Sequence, residues 1–381
     1  MVLHPSRFNK MAQENWYTIE DIDNLDTPAL VVYPERVKKN INTLKSMVDD
    51  VKRLRPHAKT YKNREVTLLM LEAGITKFKC ATVAEAEMLA TCKAPDILLA
   101  YQPLGPKLER FVKLIASFPD TKFSCLVDNL AAATAASEAA SKNNIQIPVY
   151  IDLNIGQDRT GIKPGKEALQ LYMDCERLPG IMPVGLHAYD GHLHDADLNT
   201  RTAKCDACFE LVVSLKAVIE QGGYSRPVII AGGSPTFPVH ATRKDVECSP
   251  GTFIYWDRGY QVLAKEQPFL PAALVVTRVI SLPGGTKICL DLGHKSVAAE
   301  NELSKRVYFL NAPELVMISQ SEEHLVAEAG AGHQYKVGDV LYGLPYHICP
   351  TVALYERAIT IEGRQLTGEW KNIARDRRIT I

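Results

Sequence analysis

Through the first two thirds of this chain, short β-branched or apolar runs alternate with stretches of helical periodicity, and then the alternation stops. After "TPALVVY" (27–33) comes "PERVKKNINTLKSMV", with Val37, Ile41, Leu44 and Val48 at helical spacing. "KRLRPH" leads into a helix carrying Val66, Leu69 and Met70. "KFKCATV", "DILLAY", "KFSCLV", "PVYIDLN", "PVGLHAY" and "PVIIAGG" follow, most with a helical segment behind them, and "GTFIYWD" closes the series. These nine candidate strands, with helices between most of them, imply parallel pairing through right-handed crossovers. Eight such repeats fit an α/β fold of the (β/α)8 TIM-barrel type better than an open doubly wound sheet. The strand of "TPALVVY" is then an extra one, pairing outside the barrel.

After residue 270 the runs become short and alternating, as in "ALVVTRVISLPGG", "TKICLDLGHKSV" and "YKVGDVLYGLP", with Gly, Pro and Asn turns. No long helical pattern interrupts them, which predicts an antiparallel β domain. The expected organisation is an N-terminal segment over 1–26 packing on the β domain, a barrel over 27–268 and the C-terminal β domain over 269–381.

Composition excludes several function classes. The 381 residues carry 44 acidic and 44 basic side chains, and no basic block. Nucleic acid and anionic membrane are therefore not expected partners. No run approaches the ~18 apolar residues of a membrane span. The opening stretch has no apolar h-region, so no secretory signal is expected. Nine cysteines without a framework pattern read most simply as reduced thiols of a cytoplasmic protein.

Six stretches could carry chemistry. In "RLRPHAKTYKN" (53–63), Lys59 stands at the abrupt end of a strand among Arg55, His57 and Lys62. Functional residues of a barrel gather at strand C-termini, and cationic neighbours favour a nucleophilic amine. A surface lysine with its stem packed down competes with that reading. "IIAGGSPTF" (229–237) offers Gly232 and Gly233, whose backbone N–H groups can approach an anion, beside the hydroxyls of Ser234 and Thr236. The same letters also make an ordinary turn. "SPGTFIYWD" adds a Gly-Thr pair that could close the same phosphate cup. "IDLNIGQDRTGI" and "GLHAYDGHLH" place Arg159 and Tyr189 after further strands, with Asp152, Asn154, His187, His192 and His194 nearby. In "LPYHICPTVALYE", His347 and Cys349 stand at i, i+2. In an extended segment they would face one side, and a nitrogen–sulfur pair favours zinc with an open coordination shell. A buried cysteine beside a packed histidine is the competing account. The C-x-x-C of "KCDACFE" lies inside a helical pattern and reads as packing cysteine.

Taken in order, the Thr-Pro strand, "RPHAKTYK", "GQDRTGI", "HAYDGH", "GGSPT", "DLGHKS" and the late His-x-Cys resemble the D-serine dehydratase and D-threonine aldolase family. These are fold-type III, alanine-racemase-like enzymes dependent on pyridoxal 5′-phosphate. The resemblance runs from about residue 25 to 375. It implies that Lys59 holds the cofactor aldehyde and that Arg159 contacts its ring or phenolic oxygen. It also implies that Tyr189 packs near it, that Gly232, Gly233, Ser234 and Thr236 serve the phosphate, and that His347 and Cys349 bind the metal. A homodimer and a small D-amino acid substrate are implied too. Aldolases of the family carry His-x-Asp with manganese and dehydratases His-x-Cys with zinc. The sequence therefore points to Zn2+, with Mn2+ as the alternative, and to dehydration of D-serine or D-threonine to a keto acid and ammonia. Retro-aldol cleavage to glycine and an aldehyde is the alternative; a racemase would leave His347 and Cys349 unexplained, and a non-catalytic cofactor carrier would leave the β domain unexplained. Tyr61 stands where many members have histidine, and the "AGGSPT" loop is poorer in glycine than usual.

Overall fold

A computed structural model describes residues 16–381, so the part of the expected N-terminal segment before residue 16 lies outside the described residues. The chain divides into two compact units. One holds the described residues up to Val37 with Pro271–Lys371, and the other holds Lys38–Leu270 with Asn372–Ile381. Both differ from the expected boundaries: residues 27–37 group with the β unit, and residues 372–381 group with the barrel.

In the β unit, β1 (Ala29–Val32) is the strand of "TPALVVY". It is paired outside the barrel, parallel to Arg357–Glu362 and antiparallel to Ala273–Ser281. The rest of this sheet is antiparallel, with Val340–Pro345 on Ala273–Ser281 and Gln365–Lys371 on Arg357–Glu362. Two clusters form its core. One is built around Val275, Phe309, Leu325 and Leu341, and the other around Val31, Leu274, Tyr342 and Leu344, with Trp16 and Tyr17 packed against the second.

The barrel unit contains a parallel sheet of seven strands in sequential order: β2 (Lys77–Cys80), β3 (Asp96–Leu99), β4 (Lys122–Val127), β5 (Ile147–Leu153), β6 (Ile181–Ala188), β7 (Val228–Ala231) and β8 (Val246–Cys248). Its two edges are joined by the extended segment 54–57. Leu54 bridges Cys248 and His57 bridges Lys79, both in parallel. The Arg55 N–H donates to Cys248 O at 2.9 Å, and the Lys79 N–H donates to Pro56 O at 2.9 Å. Pro56 has no N–H, which limits this eighth member of the ring to isolated bridges. Arg55 also ties the ring together through its side chain, pairing with Asp96 at the start of β3 and with Glu247 in β8, at 2.6 and 2.7 Å.

The eighth strand predicted at "GTFIYWD" is instead a 3-10 turn, Thr252–Ile254. The last barrel strand is the shorter β8, whose Glu247 obscured it by interrupting the apolar pattern. The helices between strands begin where their caps predict. Asn63, Thr82, Asn129 and Asp197 each accept a backbone N–H from the first turn of the helix that follows. No helix among the described residues is long and apolar enough to cross a membrane.

Candidate active site

Lys59 lies in a one-turn 3-10 helix, Ala58–Thr60, directly after the bridging segment. His57 caps that turn, its Nδ1 accepting the Lys59 N–H at 3.2 Å. Burial, and then the nearby lysines 59, 79 and 62, hold the His57 imidazole well below its usual value. A neutral ring suits an accepting Nδ1. The sequence thus places Lys59 at the rim through proline, histidine cap and tight turn together.

The rim encloses a cavity of about 510 Å³, within the size range of small-molecule sites. Among the described residues its lining carries four basic side chains, Lys59, Lys79, Arg159 and Arg377, and no Asp or Glu. Three of them surround one ring. The Nζ atoms of Lys59 and Lys79 lie 6.0 and 5.7 Å from the Tyr189 centroid, and Arg159 Cζ lies 5.0 Å from it. Tyr189 sits tightly between glycines, since a Cβ on Gly191 would fall 2.2 Å from its hydroxyl and one on Gly233 would fall 3.1 Å from Cε2.

At one part of the lining, Gly233, Ser234, Ser249, Gly251 and Thr252 come together from two loops. Ser234 Oγ accepts the N–H groups of Gly251 and Thr252 at 3.3 and 3.1 Å. The Ser249 hydroxyl is buried and makes no hydrogen bond. A buried orphan hydroxyl costs free energy unless a ligand satisfies it. A phosphate would do so, and its charge suits the cationic lining.

Two expected cofactor residues are placed behind this cup. Thr236 is fully buried and donates to Asp190 Oδ1 at 2.7 Å while accepting the Gly233 N–H at 3.3 Å. Gly232, at φ +77°, leaves no room for a Cβ because His240 Cδ2 would lie 2.6 Å away. Both therefore shape the loop without lining the cavity. Asp190 is itself held by His240 Nε2 at 2.8 Å, with the Cys205 thiol 3.6 Å away. Asp190, Cys205 and His240 stand close enough to share a metal ion. However, the Arg243 guanidinium donates to both His240 and Cys205, and a cation in that place disfavours a second one. Burial pushes the Cys205 thiol up to about 12. The group reads as a hydrogen-bonded support for the loop, in line with the packing role expected for this cysteine.

Below the cup, His187 donates Nδ1–H to Asp152 at 2.7 Å, and its Nε2 lies 3.5 Å from Lys79 Nζ. Burial opposes ionisation of Asp152, but hydrogen bonds from His187, Thr160 and Gln102 outweigh it and hold the carboxyl below its usual range. Burial and then Lys59 lower Lys79 to about 7. Asn154 serves its own loop, accepting the Gly156 N–H at 3.1 Å. His192 packs under Gly156 and His194 is exposed.

His347 and Cys349 belong to the β unit. They are not in extended chain: His347 caps, and Cys349 begins, the short helix Ile348–Leu354. The i, i+2 alternation argument therefore does not apply to them. His347 Nδ1 is hydrogen-bonded to Glu300 at 2.5 Å. A carboxylate on one ring nitrogen is the arrangement that orients the other toward a metal, so His347 suits a metal ligand.

Lys79, Ser249, Gln102 and Arg377 are cavity residues that sequence reasoning passed over. A lysine inside "KFKC" resembles ordinary strand alternation, and Arg377 falls in a stretch assigned to the β domain.

A cavity lined by basic side chains at the mouth of a parallel barrel, with a lysine on its rim and an anion cup in its lining, suits an alanine-racemase-like, pyridoxal phosphate-dependent enzyme. The chain belongs to the family described as "Alanine racemase, N-terminal domain", whose model matches residues 32–259, and residues 272–361 match a second model, "Putative serine dehydratase domain". It is similar to the D-threonine aldolase of Arthrobacter sp, 27% identical with 93% of this chain and 94% of that one covered. It is also similar to the D-threo-3-hydroxyaspartate dehydratase of Delftia sp. (strain HT23), 26% identical with 91% and 97% covered. Among solved structures, D-threonine aldolase from Filomicrobium marinum superposes with a TM-score of 0.84 at 24% identity, covering 92% of this chain and 95% of that one. A variant of D-threo-3-hydroxyaspartate dehydratase, described as the metal-free form, superposes with a TM-score of 0.79 at 21% identity, covering 92% and 98%.

Proposed function

We propose that the chain is a pyridoxal phosphate- and divalent metal-dependent lyase acting on small D-3-hydroxy amino acids, with dehydration of D-serine or D-threonine as its reaction. The observation that carries this reading is the cavity itself: four basic side chains, no carboxylate, and a buried unpaired Ser249 hydroxyl beside Ser234, Gly251 and Thr252. A phosphate monoester brings ~2 negative charges near neutral pH, and an amino acid adds a carboxylate. Such a lining would hold both.

In this reading Lys59 carries the cofactor and afterwards holds the proton taken from the substrate's α-carbon. Arg159 would contact the cofactor's ring or phenolic oxygen, and Tyr189, wedged between glycines, would pack near it. The hydroxyls of Ser234 and Ser249 hold the phosphate, with the N–H groups of Gly251 and Thr252 fixing Ser234 Oγ in place. Gly232, Gly233 and Thr236 act on the phosphate indirectly, by holding that loop in shape. When bound, the cofactor supplies an electron sink and the metal a Lewis acid. His347 and Cys349 hold that metal, with Glu300 orienting His347. The thiolate favours Zn2+, with Mn2+ as the alternative. The protein works as a cytoplasmic homodimer; its nine cysteines form no disulfide, which supports a reducing compartment.

Aldol cleavage is the second reading, favoured by the likeness to two D-threonine aldolases. Cys349 at the second ligand position favours dehydration. The deciding experiment offers the holoprotein D-serine, D-threonine and D-threo-3-hydroxyaspartate and quantifies keto acid, ammonia and glycine together. Keto acid with ammonia and no glycine is expected; glycine with an aldehyde would replace dehydration by the aldolase reading.

A further inference from the structure

Residues 372–381 follow the last strand of the β unit, yet they pack with the barrel. Their attachment is dense. Ala374 N–H donates to Lys62 O at 3.1 Å. The N–H groups of Thr380 and Ile381 donate to the Glu87 carboxylate at 2.9 and 3.3 Å, and the Thr380 hydroxyl donates to it as well. Arg110 donates to Ile381 O at 2.9 Å and to the carbonyl of Arg377 itself at 3.0 Å. Glu87 is only 1% exposed. A carboxylate so buried needs hydrogen-bond donors, and Thr380 and Ile381 of this segment supply three.

Between these anchors stands Arg377, which lines the cavity. Its guanidinium has no ion pair or hydrogen bond among the described residues, although its own carbonyl is clamped. Its basic neighbours Arg375 and Arg378 do not line the cavity. The segment therefore presents one arginine, held by its backbone, to a space that contains other cations and no acid.

We propose that residues 372–381 form a strap that completes the substrate mouth, and that Arg377 binds the carboxylate of the amino acid substrate. The proposal rests on the functional reading above and names the group that selects amino acids over other amines. A planar guanidinium pairs with a carboxylate through two parallel N–H···O bonds. Lys59 and Arg159 are committed to the cofactor, and Lys79 is 2% exposed and turned to His187. Arg377, which is exposed, is the cation of the lining left for a substrate carboxylate.

The test uses the holoprotein and two amines, D-alanine and isopropylamine, which differ by the carboxylate and carry no hydroxyl to eliminate. Binding is read from the change in cofactor absorption. Arg377→Ala is expected to weaken D-alanine by about 10- to 100-fold and to leave isopropylamine unchanged, with Arg377→Lys recovering part of the loss. Arg110→Ala, outside the cavity, is expected to weaken D-alanine selectively to a smaller degree by freeing the Arg377 carbonyl. Equal binding of D-alanine by Arg377→Ala and the unsubstituted protein would overturn the proposal. Failure of the functional reading shows elsewhere: the unsubstituted protein would then not prefer D-alanine to isopropylamine, and that result overturns both.

Discussion

At the scale of single residues, Lys79 raises the sharpest question. Burial, with Lys59 adding to it, lowers its amine to about 7 from the ordinary 10.5, against opposition from Asp190 and Asp152, with Arg55 adding to the lowering. The His187 ring faces it as well. Between pH 7 and 10.5 the unfolded chain binds a proton there that the folded chain does not. Folding stability contributed by this site therefore rises with pH across that window and is lowest below it. Lys79→Met should accordingly be more stable than the unsubstituted protein at pH 7, on the order of a few kcal/mol, with the gap closing toward pH 10. Urea unfolding at the two pH values checks this. A stability gain forgone in this way is what a functional residue in an active cavity often shows.

Ser249 gives a contrasting residue-scale prediction. Its hydroxyl is buried without a partner, so Ser249→Ala removes a penalty in the apoprotein and a phosphate contact in the holoprotein. The apoprotein should unfold at the same or slightly higher urea concentration. Cofactor affinity should fall by about 10-fold, the scale of one hydrogen bond to a charged group, as measured by equilibrium titration of the apoprotein with pyridoxal phosphate.

At the scale of elements, the loop after β7 shows how a motif splits by role. "GGSPT" reads as a run of anion donors, and the loop turns Ser234 to the cavity and Thr236 to Asp190. Thr236→Val would leave Asp190 Oδ1 without that donor, in a residue only 1% exposed. A loss of about 1–3 kcal/mol in urea unfolding is expected, with Asp190→Asn rescuing part of it in the double variant because a neutral amide tolerates the missing donor better. Additive losses would show that Thr236 acts elsewhere. The segment 54–57 is a second such element. Its proline reads as a strand breaker, and the barrel uses it where one N–H is not needed.

At the scale of the whole molecule, the cofactor residues and the metal residues belong to different compact units. Lys59, Arg159, Tyr189 and Ser234 lie in the barrel unit, and His347 and Cys349 in the β unit. Stripping the metal with a chelator should therefore abolish turnover while leaving the cofactor's absorption band in place, and adding Zn2+ should restore turnover. Loss of the band together with the metal would show that the cation supports the cofactor itself.

Much of this was legible in the sequence because it depends on local periodicity. Alternating strand and helix patterns define a parallel barrel, and the abrupt loss of helical spacing after residue 270 defines the β unit. Lys59 was legible from its proline and histidine neighbours, which force a turn at a strand end. Tertiary structure decided what local pattern cannot carry. A strand of three residues with a buried glutamate, β8, has too few positions to show a period, and its Glu247 is held by Arg55 and Lys77, which arrive from far along the chain. Lys79 and Arg377 look like ordinary surface charges until the barrel closes over one and residues 372–381 fold back to place the other. Which polar side chain faces the cavity is set by contacts between segments distant in sequence, and that information lies in the packing.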